Sequence, residues 1–390
     1  MTDVHLQPAL SLPAGFRFGE VSSFTAPRAL VSAVPTLGPL AAFTGTFRGS
    51  GFNTIFRPDS LKSPTGLPKP ITGSDNVLEL NLTLETLSFS PSLGSVPNRG
   101  TAQQSDIFLN GVPYLQTVTD VTLPNQPIGI HFEPGLWMAV PPTTDPAETV
   151  ATVARMASIP HGTTIEAQGT SSTAAGKPTI PAVNITPFRL GQPDTPANQV
   201  PFPSQKAINN DTPRIPQDLT SFIAAGTITQ AMLDDPNSFL RNHIASQDIV
   251  STTTISISTQ AAAPLTGGGT DNIAFLTGNA AAGPNAQAVH MDATFWIETV
   301  QFSIEVPVFE PGQPALIIPA ETGAEGQPVP EFLVNPPIAI KTPRTIKVNA
   351  TQIQYSQHVI LNFNGLSWPH VSVATLVPNA PVPVPASVWA

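Results

Sequence analysis

From Trp296 to Val308 apolar side chains recur at every second residue. Trp296, Val300, Phe302, Ile304, Val306 and Val308 share one parity, and Glu298 interrupts them on the same face. A period of two is the signature of a strand whose faces differ. The same spacing sets Leu78, Leu80, Leu82 and Leu84 on one face of an earlier strand. Parity then switches at Leu87 and Phe89, which predicts a bulge or bend near Glu85–Thr86. Further strands are predicted at 128–140, 151–159, 163–170, 250–259, 344–363 and 370–377. Turn signals stand between strands, among them Pro-Asn-Arg-Gly at 97–100 and Gly-Gly-Gly at 267–269. With 45 prolines and 27 glycines in 390 residues, the chain suits many short strands and turns better than long helices.

One region departs from this period. Leu219, Phe222 and Ile223 lie at i, i+3 and i+4, with Gly226 placed to end a helix. Asp235-Pro236 starts a second helix, Asp as cap and Pro in its first turn. Its stripe is Phe239, Leu240, His243, Ile244 and Gln247. The main helices are therefore expected within about 216–248, after a Pro- and Asn-rich loop at 185–216. Residues 1–37 read as a Pro-rich arm.

Composition removes several functions. Net charge is −10 with 16 Lys and Arg, so no basic stripe exists for a phosphate backbone, and nucleic acid is not a partner. Cysteine is absent, which removes thiolate ligands and disulfides and suits a reducing cytoplasm, the expected location. No secretory signal is seen at the N-terminus, and no apolar run reaches the roughly 18 residues of a membrane span. The low charged fraction, 11%, and the Pro-rich arm favour self-association, so a homo-oligomer is expected. Leu265-Thr-Gly-Gly-Gly269 lacks the lysine of a phosphate loop. Gly-x-Ser-x-Gly and His-Glu-x-x-His do not occur.

The residues with site chemistry are few. His131 and Glu133 lie two apart on one strand face, where they form either a polar pair or part of a metal site. His161 sits in the turn Pro160-His-Gly162, as a turn residue or at a pocket mouth. Arg155 lies in a predicted strand and pairs with a structural carboxylate or with one on a ligand. Trp137, Trp296 and Trp368 are core aromatics or walls for a flat ligand. His370, in Trp368-Pro-His-Val371, is a core histidine or a metal ligand.

Four segments in one order carry a family resemblance. They are Gly45-Thr-Phe-Arg-Gly-Ser-Gly-Phe52, His131-Phe-Glu-Pro-Gly-Leu-Trp137, Pro160-His-Gly-Thr-Thr-Ile-Glu-Ala-Gln-Gly169 and Trp368-Pro-His-Val-Ser-Val-Ala-Thr-Leu376. Together they resemble the nitrobindin-like haem-binding β-barrels, relatives of the lipocalins and fatty-acid-binding proteins. Gly45, Phe47, Gly49 and Gly51 occupy the places of that family's Gly-x-Trp-x-Gly-x-Gly, with Phe for Trp. His131, Glu133, Gly135 and Trp137 follow its middle strand, with Met138 where the family has Arg. Gly162, Glu166 and Gly169 match its next hairpin. His370 and Leu376 resemble its late His-Leu strand, with Val371 for Leu and a spacing one residue longer.

The resemblance implies an all-β fold, a calycin-like antiparallel β-barrel built from 38–180 and 286–380. It implies a loop and helical insertion at 181–285 and a C-terminal tail at 381–390. It also implies haem as cofactor, His370 as the iron ligand, and diatomic or reactive nitrogen species chemistry at the iron. His131, Glu133, Arg155, Trp137 and His161 then belong to the cofactor site. The partner is a small apolar ligand, haem or another flat molecule. Two other readings stay open: a structural, self-assembling β protein without cofactor, and a barrel enzyme acting on an apolar metabolite.

Overall fold

A computed structural model describes residues 34–279, 285–321 and 328–389. Most of the Pro-rich arm lies outside the described residues.

Ten long strands close into one antiparallel barrel. They are β1 (Gly45–Pro58), β2 (Asn76–Phe89), β3 (Ile107–Asp120), β4 (Ile128–Val140), β5 (Thr152–Ile159), β6 (Thr163–Ala175), β7 (Asp248–Ser258), β8 (Gln287–Val306), β9 (Arg344–Phe363) and β10 (Leu366–Pro378). Each pairs with the next in sequence, and β10 pairs back onto β1 from Phe47↔Pro378 to Thr54↔Val371. A closed ring leaves no unpaired edge to recruit another chain. The strands expected from alternation and the antiparallel barrel implied by the resemblance are therefore both observed.

Three expectations need correction. First, β2 carries no bulge: its pairing with β1 runs in register from Gly45↔Phe89 to Pro58↔Asn76. The parity switch has another cause. At one end of β2, Leu87 and Phe89 point into the barrel core. At the other end, Leu78 and Leu80 point outward beneath the insertion, and their inward neighbours are Glu79, Asn81 and Glu85. Second, β3 escaped sequence reading because Asn110-Gly111 and Pro113 look like turn residues. Pro113 is tolerated because its carbonyl accepts from Ser90, 2.9 Å away and just past the end of β2. The missing N–H points to that same side, where no ladder bond is needed.

Third, 181–285 is not one insertion. Within it, β7 is a barrel stave between β6 and β8, so the additions are the segments before and after it. The first carries α1 (Thr220–Ala225), α2 (Gln230–Asp234) and α3 (Asn237–Ile244). Gly226 ends α1 at φ 70°, and Asp235 Oδ1 accepts from the Asn237 N–H at 3.1 Å, as the spacing predicts. The second carries the single-turn α4 (Ala274–Thr277). The C-terminal tail is also built in. Val382–Pro383 joins Leu316–Pro319 and Glu331–Val334 in a small sheet, and Trp389 is buried on it with Ile304, Val306 and Val348.

Three cores result. The barrel's interior packs Phe47, Phe89, Trp137 and Phe295, plugged at one end by Leu40 and Phe43 around the turn Gly38–Ala42. The second lies outside the barrel wall, where Leu240 and Ile244 of α3 meet Trp296, Val300, Val371 and Val373. The third covers the overhang of the β8–β9 hairpin. Trp296, Val300, Ile304 and Val306 of the apolar parity read at 294–308 thus lie on the outward face of β8 and are buried all the same, whereas Val308, past the strand's end, is exposed. Among the described residues no helix is long and apolar enough to cross a membrane.

Glu298 interrupts that outward face, fully buried. Gln352 donates to it at 2.6 Å, and Gln352 is bonded in turn to Gln247 of the insertion. Burial pushes the Glu298 carboxyl up to about 8, against the single lowering effect of Gln352. A folded value above the unfolded one makes the protonated form the stabilising one. The contribution is complete below about 4.5 and is lost as pH rises through about 8. Urea melts should therefore show wild type losing stability between pH 6 and 9 relative to Glu298→Gln; parallel pH curves for the two proteins would refute the buried carboxyl's role. In the same assay Trp296→Ala should cost about 3–5 kcal/mol, the range for a deleted core aromatic.

Candidate functional site

The lower half of the barrel is filled by rings; the upper half is not. Two joined compartments lie there, one of about 370 Å³ and one of about 240 Å³. His131, His161, His370, Ile55 and Gln357 line both. The smaller compartment is apolar, walled by Ile165, Leu276, Met291, Val359 and Leu361. The larger is polar, walled by Asn53, Asn81, Glu85, Gln116, Tyr355 and Ser372 among others.

Inward parity on neighbouring staves creates this arrangement. On β4 it brings His131, Glu133 and Gly135 inside, opposite Val118, Gln116 and Tyr114 of β3. Gly135 is required here: a Cβ would lie 2.5 Å from the Tyr114 ring. That space lets the Tyr114 hydroxyl donate to Glu133. Arg155 of β5 forms an ion pair with Glu133, donates from Nε to the Tyr114 oxygen at 2.8 Å and from Nη1 to Gln357 at 2.7 Å. Its guanidinium lies 5.3 Å from the centroid of Phe295 and 5.6 Å from that of Trp137. Burial opposes ionisation of Glu133, but Arg155 and His131 together hold it down at about 2. His131 Nε2, 3.0 Å from this carboxylate, is therefore the donor.

A second set surrounds Glu85 on β2. Its carboxyl accepts from Thr83 at 2.9 Å, from Gln116 at 3.2 Å and from Tyr355. Burial raises its pKa against these bonds. Gly51 on β1 leaves the room: a Cβ there would come within 2.7 Å of a Glu85 oxygen and 2.4 Å of the Val373 carbonyl. Glu85, Gln116 and Tyr355 of the second set line the cavity, and the first set lies behind it, bonded to the lining residues His131 and Gln357.

His370 projects from β10 on the opposite wall. Asn53 Nδ2 donates to its Nε2 at 3.1 Å and to Ser372 at 3.0 Å. Burial, reinforced by the nearby His131 and His161 rings, lowers His370 to about 3, so the ring is neutral. Ser372 Oγ is 3.3 Å from His370 Nε2. That Nε2 also accepts from Asn53, so Ser372 shares it with the amide. His161 is lowered as well, by burial first and then by His131; the two rings are 5.7 Å apart.

Five of the six residues that the resemblance assigns to the cofactor site thus meet at or behind this cavity. His131, His161 and His370 line it, and Glu133 and Arg155 are bonded behind its lining. Trp137 lies deeper, against Phe43 and Phe295. His243 is elsewhere, bonded to Thr375 at 2.9 Å beneath the insertion. Among the described residues no cluster of three or more His, Asp or Glu is arranged to hold a metal ion alone. Sequence reading missed Asn53, Asn81, Glu85, Gln116 and Gln357. The available signal was polar residues at inward parity on strands that also bury leucines and valines outward.

No protein-family model matches the chain, and no curated protein matches it in sequence. Among solved structures it is similar to the crystal structure of Rv2717c from M. tuberculosis. The TM-score is 0.33 and the identity 10%, over 90% of this chain and 100% of that one.

Removing one member of the buried pair strands the other charge. Arg155→Met should cost about 3–5 kcal/mol, and the double change Glu133→Gln/Arg155→Met should recover much of that loss. Denaturant melts of the four proteins in the cycle measure it. Equal losses in the single and double variants would mean that packing, not charge, is what Arg155 supplies.

Proposed function

We propose that the barrel binds a flat, largely apolar molecule in its upper half, and that this molecule is haem held by His370. The supporting observation is a neutral imidazole projecting into a cavity with one apolar wall. Such an imidazole is a competent iron ligand, and the chain has no cysteine to compete for iron. The donor chemistry therefore fits haem. The apolar wall of Ile165, Met291, Val359 and Leu361 fits a macrocycle's faces and excludes water from it.

When bound, haem would supply an iron centre for diatomic or oxidised nitrogen ligands, in keeping with the family resemblance. The protein's own groups do the rest. His370 would hold the iron through Nε2 only by giving up the hydrogen bonds that Asn53 and Ser372 make to that atom. His131 is oriented by Glu133, whose charge Arg155 holds. His161, at the turn between β5 and β6, stands beside His131 where both compartments meet.

The test is haem titration of the purified chain, read in the Soret region. Wild type should give a saturable band. His370→Ala should abolish or strongly shift it, and added imidazole should partly restore it. His243→Ala, outside the barrel, should leave it unchanged. An unaltered spectrum in His370→Ala would refute the ligand assignment and make His131 the next candidate. No band in wild type would leave the cavity to another flat apolar molecule.

A further inference from the structure

The apolar compartment accounts for the body of a ligand. The larger, polar compartment is unused by that account. Its wall is unusual in being built from carboxamides: Asn53, Asn81, Gln116 and Gln357 all face it, with the hydroxyls of Tyr355 and Ser372. An amide offers a donor and an acceptor side by side, which suits a hydroxyl or another amide.

Asn81 is the informative member. It is 7% exposed, lines the cavity and is the cross-strand neighbour of Asn53. Its amide opens onto the cavity rather than being sealed in the wall, so a ligand can reach both its donor and its acceptor. Asn53 is incompletely used. Its Nδ2 serves His370 and Ser372, while its Oδ1 has no partner. Two adjacent strands therefore present two amides to one compartment.

The charges decide which head group fits. Among the described residues no lysine or arginine lines the polar compartment. The two nearest guanidinium groups are committed, Arg57 to Glu79 and Arg155 to Glu133. Glu79 and Glu85 both stand in the wall. A carboxylate entering this space would lose its hydration and meet two acidic side chains with no free cation in return.

We propose that Asn53 and Asn81 read a neutral, hydrogen-bonding group, a hydroxyl or a carboxamide, on or beside the apolar ligand, and that the compartment rejects carboxylates. This rests on the cavity being the ligand site. For haem it directs the propionates away from this compartment.

The experiment is a fluorescence titration of the full chain, purified without added haem, with three probes of one shape. These are anthracene, 9-anthracenemethanol and 9-anthracenecarboxylate. The alcohol should bind about tenfold tighter than anthracene, the worth of one or two hydrogen bonds to buried partners. The carboxylate should bind weakest. In Asn81→Leu the alcohol should fall to the affinity of anthracene, with anthracene itself unchanged or tighter. The wild-type series decides the matter even if that variant does not fold. Anthracene and the carboxylate binding as tightly as the alcohol would overturn the head-group inference and leave the cavity reading intact. No binding of any probe would overturn both.

Discussion

The buried pair Glu133–Arg155, clamped by Tyr114 and Gln357, is the interaction on which the interior depends. A ten-stranded barrel is wider than an eight-stranded one, whose interior side chains just fill. Here rings fill the lower half, and the cavity lies in the upper half. The boundary between halves is where charge enters. An ion pair in a low-dielectric interior persists only if its remaining donors and acceptors are satisfied. Arg155 meets that condition with bonds to Tyr114 and Gln357 and ring faces around it. Its rigidity gives the cavity lining a backing that cannot collapse without breaking the pair.

The outer wall obeys a different constraint. Strands of an isolated barrel alternate cleanly between inside and outside. In β2, β8 and β10 the outward residues Leu80, Trp296 and Val373 are as buried as inward ones, because α1–α3 and their loops cover them. This coverage frees the inward positions of the same strands from making the core. They hold Asn81 on β2 and His370 on β10 instead. The insertion thus supports the site without touching it: apolar burial moves to the outside, and polar function takes the vacated inside.

That exchange also explains what was legible in the sequence. The strand ranges 128–140 and 344–363 and the helices within 216–248 were readable because period and capping are local properties. The histidines were readable because a histidine is rare and chemically distinctive. Asn53, Asn81 and Glu85 were not, because choosing the inner face requires knowing which face a distant segment covers. The leucines of β2 point outward, so apolar parity there marks the wrong side for a site. β3 was hidden by Pro113, whose acceptability depends on where β2 stops, a tertiary fact. β7 was readable as a strand, but its place as a stave needed the pairing with β6 and β8.

Two buried glutamates show how the fold assigns charge. Glu133 and Glu298 are both fully shielded from solvent. Glu133 has a guanidinium and an imidazole against it and stays ionised, held at about 2. Glu298 has only an amide donor, and burial carries it to about 8. The difference lies in the partner, not the depth. Ionised, Glu133 keeps a proton of His131 on Nε2. Across the cavity, Asn53 donates to Nε2 of His370, so the proton of that neutral ring sits on Nδ1. The two rings thus present Nε2 in opposite senses, as a donor in His131 and as an acceptor in His370, and neighbours rooted in the barrel wall hold them so. A molecule entering between them meets fixed donors and acceptors rather than groups that must first exchange protons, and that preorganisation is what a closed barrel with an ion pair behind its cavity can supply and a loop-built pocket cannot.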